Sequence, residues 1–413
     1  MKREQTIVRE LRRLMGLIGL ISLMGLVGCS ADSDENQDGA PQGTIIPEVA
    51  SYVSEFEEAD GTNVTNRTNR AWSVPSGYVA YEDGIQPIGI AFTKNNEDPT
   101  VGADPSNPKS MIGNFFYSSG KWRTSLEDIK AGTTYYLYGY IPYLPAIRYS
   151  IMDLYPDGDD DSNNATNTKH DGYSTGAIMK LENVPTVMPN DFCVVIGAKH
   201  GTNKETDSGL RRGDFAYTTS GSVNGNYIFL LFDHLYAALR IKMKVHADYA
   251  TMRTIKLKSL QLSTQAGETT SKDHNTITIK LQANDGSASP IKGDISYEQT
   301  GAIIGTGDDK GLEFWSSAAG EELTTSFQDF TGHFMPSGIT TLILTSVYDV
   351  YDRKGNLIRE GCSATNTMPL EELLTEQKIT ERGKRYTVKM TILPTYLYVL
   401  SDPDLDNPTV SVE

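Results

Sequence analysis

The sequence predicts an all-β protein assembled from sandwiches, and three observations carry that reading. The composition favours pleated surfaces: 22 Tyr and 37 Gly occur in 413 residues, with few of the long Leu/Ala/Glu runs that build helices. Strict alternation recurs, with Leu239, Ile241, Met243 and Val245 apolar while Arg240, Lys242 and Lys244 are charged. The same pattern returns at Ile277-Ile279-Leu281 and at Tyr386-Val388-Met390-Ile392, so each stretch has one face for a core and one for water. The apolar runs are short and separated by turn residues, as in a sandwich. No repeat of solenoid length is present.

At the N-terminus, Lys2, Arg3, Arg9, Arg12 and Arg13 precede the apolar stretch Leu14 to Val27, which is followed by Gly28 and Cys29. A basic region, an apolar region and a small residue in that order are the layout of a secretory signal. Leu26-Val27-Gly28-Cys29 resembles the lipobox of bacterial lipoproteins, in which the cysteine sulfur receives a diacylglyceryl group and the signal is cut just before it. The resemblance implies a leader over 1–28 and a lipidated Cys29. The apolar stretch is too short for the ~20 residues a bilayer span requires, and no later stretch reaches that length. Several acyl chains on one residue hold a protein firmly to a membrane, so the expected location is the cell surface, at the outer membrane.

The rest of the chain is long enough for two or three domains and an ample core. The net charge is −16 and the leader carries five basic and two acidic residues, so the remainder sits near −19. Such a balance argues against nucleic acid or anionic lipid as partner. Beyond Cys29 there are only Cys193 and Cys362, and two buried thiols are expected rather than a disulfide scaffold.

Residues 30–43 are acidic and rich in breakers, a tether by composition. From Thr44 to Phe56 a strand is expected, with Ala50, Tyr52 and Phe56 on one face and Val49 and Val53 on the other. A polar stretch, 61–70, follows, and the first domain is expected over 71–226. There we expect strands at Ile85–Phe92, Thr133–Tyr143 and Asp191–Lys199, a hairpin around Ser118-Ser119-Gly120 and a helical turn over Ser125–Lys130. Thr133–Tyr143 is apolar on both faces and so should be central. A second domain is expected over 227–413. In it, Ile255 and Leu257 lie out of phase with Leu260 and Leu262, which implies a bulge near Ser259. Arg353-Lys354-Gly355 should turn a hairpin.

Few motifs suggest chemistry. Asp157 to Asn163 alternates oxygen ligands as a calcium loop does, but Ser162 and Thr168 stand where an EF-hand needs Gly and Glu. Asp402, Asp404 and Asp406 repeat the pattern, and solvated acidic loops are the simpler reading of both. Arg212-Gly213-Asp214 is the tripeptide integrins recognise, and chance also produces it in a chain this long. Gly305 to Gly311 has the wrong spacing for a dinucleotide loop, and Ser106 and Lys109 are three apart among prolines that preclude a helix. The six histidines show no zinc spacing, and His234 reads as a satisfied sheet-edge residue. No catalytic residue, metal or cofactor is expected.

Three stretches resemble the fimbrillin-like proteins, the subunits of type V fimbriae of anaerobic Gram-negative gut and oral bacteria. They are Phe229 to Ile241, Gly383 to Ile392, and Tyr396 to Leu400 continuing through Asn407 to Val412. The resemblance covers most of the chain and is strongest after Phe229. It implies two transthyretin-like β-sandwiches in tandem. It also implies that an arginine-specific protease removes the N-terminal segment with its first strand, and that a strand of the next subunit fills the groove, as in β-augmentation. On this chain the cut would fall between Arg70 and Ala71, with Arg67 just upstream, and segment 29–70 would carry the removable strand. The donor would lie in the extension 396–413, with Tyr396, Tyr398, Leu400, Val410 and Val412 as its candidate residues. The partners implied are other fimbrial subunits, a membrane through lipidated Cys29, and a host or bacterial surface ligand. Two alternatives stay open: Arg67 and Arg70 can be ordinary linker residues, and the C-terminal residues can complete their own sheet. A rival of another class is a surface glycan-binding lipoprotein of a nutrient-uptake system, with Trp72, Trp122, Trp315 and the tyrosines of 135–143 as sugar platforms.

Overall fold

A computed structural model describes residues 45–59, 78–81, 86–95, 111–154, 172–201, 209–264, 274–283, 295–300, 304, 312–373, 378–396 and 403–412. Cys29, Arg67, Arg70, Ala71, Trp72, Tyr398, Leu400, Asp402, the Asp157 loop, Ser106 to Lys109 and Gly305 to Gly311 lie outside the described residues. The fold is all-β, with four sheets among the described residues. The first contains β1 (Pro47–Ser54), β3 (Tyr78–Ala80), β4 (Ile88–Thr93), β5 (Ile112–Ser118), β6 (Lys121–Thr124), β7 (Thr134–Ile141), β10 (Cys193–Gly201), β11 (Ala216–Thr218) and β12 (Asn226–His234). The second contains β8 (Arg148–Asp153), β9 (Gly176–Pro185), β15 (His274–Gln282) and β16 (Ile295–Thr300). The third contains β2 (Glu57–Glu58), β13 (Ala237–Val245), β18 (Gln328–Met335), β21 (Lys384–Tyr396) and β22 (Pro403–Val412). The fourth contains β14 (Thr254–Ser263), β17 (Leu312–Glu322), β19 (Thr341–Tyr351) and β20 (Leu357–Pro369).

The first sheet runs β3-β1-β12-β10-β7-β4-β5-β6, with β11 also on β7. Its two faces enter different cores, because side chains alternate along each strand. Tyr138, Tyr140, Val194, Ile196, Phe229 and Leu231 pack with Met179, Leu181, Ile277 and Ile279 of the second sheet. On the opposite face Leu137, Val195, Leu230 and Phe232 form a separate cluster with Phe92 and Phe115. Strand β7 is therefore central and buried on both sides, as its apolar run required. The third and fourth sheets share one core, which includes Leu239, Ile241, Leu257, Leu260, Leu344 and Val388.

Local predictions hold where turn chemistry or phase carried them. Ser119 and Gly120, both with positive φ (53° and 79°), turn the β5–β6 hairpin. Gly355 turns β19 into β20, and β14 shifts register between Leu257 and Ser259 against both neighbours. The helical turn expected over Ser125–Lys130 is absent. Ser125 N donates to Asn114 O, Leu126 N to Thr124 Oγ1 and Lys130 N to the Tyr135 hydroxyl, while Leu126 and Ile129 are buried. An irregular plug satisfies this backbone, and core burial outweighs the local helical pattern.

The division expected at 226/227 falls inside β12, between its first two residues, and β12 pairs with β1 and β10 of the first sheet. Strand β15 pairs antiparallel with β9, so residues 274–282 and 295–300 lie in one sheet with residues 148–153 and 176–185.

Candidate functional site

The two chain ends each supply a strand, and their geometry defines the candidate site. Strand β1 lies between β12 and β3, parallel to β12 with Pro47 to Val53 facing Asn226 to Phe232, and antiparallel to β3. Ala50 and Tyr52 pack toward the core shared with the second sheet, while Val49 and Val53 pack toward the opposite one. Both sides of the expected alternation are thus in use. Ile45 is 1% exposed and Val53 8%, so the segment is anchored at both ends of the strand.

After Ser54 the chain passes to the third sheet. Glu57 N donates to Gly383 O (3.0 Å) and Ala59 N to Arg385 O (2.9 Å), which makes β2 a short parallel partner of β21. Lys384 Nζ lies 2.7 Å from Glu57 and Arg385 lies 3.1 Å from Glu58. Segment 45–59 is therefore paired to both β12 and β21.

Strand β22 lies antiparallel to β21, with Met390 opposite Val412 and Tyr396 opposite Pro403. Val410 is 6% exposed and belongs to the core of the third and fourth sheets, and Asn366 Nδ2 donates to its carbonyl (3.0 Å). Of the candidate donor residues, Val410 and Val412 thus complete their own chain's sheet here, and Tyr396 is the last residue of β21.

The turn between β12 and β13 holds a polar cluster. Asp233 accepts from Tyr78 Oη (3.0 Å) and from Arg212, with Arg382 at 3.9 Å. Burial, with the Asp233 charge adding to it, pushes the Tyr78 hydroxyl well up from its usual range. Arg212 is thus engaged inside the fold, and Gly213 N and Asp214 O bond Ile196 and Ala198. The integrin-type tripeptide lies in the turn before β11, tied to β10 by these main-chain bonds with Arg212 and Asp214 half-buried. Burial also raises the Asp214 carboxyl.

His234 sits beside this cluster and is 2% exposed. Its Nε2 lies 2.7 Å from Ser54 O, its Nδ1 lies 3.0 Å from Asp191 Oδ1, and Phe56 stacks on its ring at 3.6 Å. Cys193 is the cross-strand partner of His234, and its Sγ lies 3.6 Å from Nδ1. Asp191, Cys193 and His234 are the group among the described residues that could hold a metal ion, with ligand atoms within 4.8 Å of one another. Burial and the Asp191 charge push the Cys193 thiol well up. Cys193 and Cys362 are both free and buried. The sequence placed His234 at a sheet edge; its link to Asp191, 43 residues away, had no local signal.

The aromatic residues considered as sugar platforms differ in exposure: Trp122, Tyr136 and Tyr143 are half-buried, and Trp72 lies outside the described residues. Tyr135, Tyr138 and Tyr140 are fully buried. Trp315 meets Phe330 edge-on at 4.8 Å against the core, and Trp122 meets Tyr117 at 5.6 Å.

No family model matches the chain, and no curated protein matches it. Among solved structures it aligns with a fimbrial protein from Bacteroides vulgatus at 13% identity and a TM-score of 0.30, over 90% of this chain and 99% of that one. A putative cell adhesion protein from Bacteroides uniformis aligns at 12% identity and a TM-score of 0.30, over 88% and 98% of the two chains. The fimbrial anchor protein Mfa2 from Porphyromonas gingivalis aligns at 11% identity and a TM-score of 0.21, over 88% and 97%.

Proposed function

We propose that this chain is a structural subunit of a cell-surface fimbria, exported as a lipoprotein through Cys29 and polymerised by donor-strand exchange after cleavage at Arg70-Ala71. The observation that carries the reading is the position of β1. A strand next to the N-terminal end of the described fold sits inside a sheet, apolar on both faces, with β12 on one side and only the short β3 on the other. Removing it would expose main-chain groups of β12 and two rows of apolar pockets. An open edge of that kind is a template for an incoming strand. The C-terminal extension is the donor: β22 lies at the margin of its own sheet and could transfer without opening a sheet interior. A head-to-tail contact of this type propagates as a filament.

The test is to incubate the purified precursor with an arginine-specific protease and follow assembly on a gel. Ladders of subunits are expected after cutting. Stable monomers despite complete cleavage at Arg70 count decisively against the reading.

A further inference from the structure

We infer that Asp191, Cys193 and His234 form a structural binding site for a divalent cation of the zinc class, at the foot of β1. The inference starts from register. Cys193 and His234 are paired across β10 and β12, and Asp191, two residues before Cys193 and just ahead of β10, reaches the same His234 ring. The three are 0%, 2% and 8% exposed.

The hydrogen-bond geometry then fixes the tautomer. Ser54 O can only accept, so His234 Nε2, at 2.7 Å, carries a proton. That leaves Nδ1 facing Asp191, whose carboxylate oxygens lie 2.9 and 3.0 Å away. A neutral imidazole would aim its Nδ1 lone pair at a buried carboxylate, which is unfavourable without an intervening positive charge. A second proton is one such charge; a divalent cation is the other, and it would be ligated jointly by His234, Asp191 and the Cys193 sulfur that is hydrogen-bonded to Asp191. Cys193 Sγ is directed at the same Nδ1 from 3.6 Å. Tetrahedral zinc bonds of about 2.3 Å to sulfur and about 2.0–2.1 Å to nitrogen separate two such ligands by a similar distance.

The outer groups fit as well. A metal-bound histidine characteristically donates its other N–H to a carbonyl or carboxylate, and here that acceptor is Ser54. The remaining charged groups at this corner are engaged with one another: Asp233 with Arg212 and Arg382, and Arg382 also with His234 O at 3.2 Å. With Asp191 binding through both oxygens, the site is four-coordinate and closed. Binding releases the thiol proton of Cys193 to solvent and leaves a thiolate on the metal. Because Ser54 ends β1, the bound ion would also hold the base of the N-terminal strand.

The experiment uses cobalt chloride as a spectroscopic stand-in, added to the full chain carrying Cys29→Ser so that Cys193 and Cys362 are its only thiols. One cobalt ion per chain is expected, with visible tetrahedral bands and a near-ultraviolet thiolate-to-cobalt band, all displaced by zinc chloride. Cys362→Ser should keep the thiolate band and Cys193→Ser should lose it, with circular dichroism confirming that both variants are folded. Should Cys193→Ser fail to fold, His234→Gln provides the second variant, and loss of the tetrahedral bands is expected there. Absence of a thiolate band in the parent chain, or its persistence in Cys193→Ser, overturns the site and leaves a proton between His234 and Asp191.

Discussion

Strands β1 and β22 are the two terminal strands of the described fold, and they are held in different ways. Strand β1 is parallel to β12, has a neighbour on each side and sends side chains into two cores. Strand β22 is antiparallel to β21, pairs with that strand alone and places Val410 in one core. Removing β1 therefore divides a sheet, whereas removing β22 only shortens a margin. A terminal strand inside a sheet is costly to lose and leaves a shaped vacancy. A terminal strand at a margin is cheap to release and keeps its own pairing capacity.

Truncation from each end is the strongest way to break this comparison. Loss of residues 1–59 removes Ile45 and Val53, each worth about 1.5–3 kcal/mol when buried, together with the ladder to β12. A destabilisation on the order of 5 kcal/mol is expected, read from the urea midpoint, with oligomers visible by light scattering. Loss of residues 397–413 should cost less, about 3 kcal/mol, and leave a monomer. If the C-terminal truncation proves the costlier, the assignment of acceptor and donor roles is reversed.

Phe56 sharpens the comparison at one residue. It stacks on His234 at 3.6 Å and on Phe334 at 5.8 Å, with the Arg385 guanidinium 5.5 Å from its ring centre. Phe56→Ala should cost about 2 kcal/mol, below the usual range for a fully buried Phe because Phe56 keeps some exposure. Amide exchange should accelerate across β1 and β2 and remain unchanged in β22. Equal acceleration at both ends would mean that the terminal strands are coupled through β21 rather than held separately.

Those contacts also show what a sequence can and cannot disclose. The faces of β1 were legible because Val49 and Val53 alternate with Ala50 and Tyr52, and the bulge near Ser259 was legible as a phase slip. Turns at Ser119-Gly120 and Gly355 were legible because the glycines, Gly120 and Gly355, adopt positive φ without steric cost. Neighbours were not legible. Periodicity states which side of a strand is apolar and is silent on the strand beside it, so the pairing of β9 with β15 and the parallel pairing of β1 with β12 had no local signature. The cluster at His234 was hidden for the same reason, since Ser54, Asp191, Cys193 and His234 meet only through two long-range pairings. The Ser125–Lys130 turn failed because two buried side chains, Leu126 and Ile129, outweigh local preference.

On the β22 side, the corresponding single contact is Asn366. Its Nδ2 donates to Val410 O, while its own Oδ1 is buried without a hydrogen-bond partner. Asn366→Ala removes a bond of about 1 kcal/mol and also relieves that unsatisfied oxygen, so the net loss should be under about 1 kcal/mol. Exchange at the amides of 409–412 is the readout, and β1 should be unaffected. A loss comparable to that of Phe56→Ala would contradict the view that β22 is the weakly held end.

The smallest expected effect separates two ion pairs on β2. Glu57 pairs with Lys384, but its side chain is 73% exposed, so water and salt screen the pair. Glu58 pairs with Arg385 with the two side chains 19% and 28% exposed, and that guanidinium also lies over Phe56. Glu57→Gln should change stability by a few tenths of a kcal/mol at most, and Glu58→Gln by about 1 kcal/mol. Raising the salt concentration should erase the first difference and leave most of the second. The distinction follows from position: Glu58 ties the N-terminal segment to β21 beside the Phe56 stack, while Glu57 decorates its solvent side. Equal effects from the two variants would mean that β2 is held by its two main-chain hydrogen bonds alone, leaving the Phe56 stack and β1 as the side-chain restraints on the N-terminal segment.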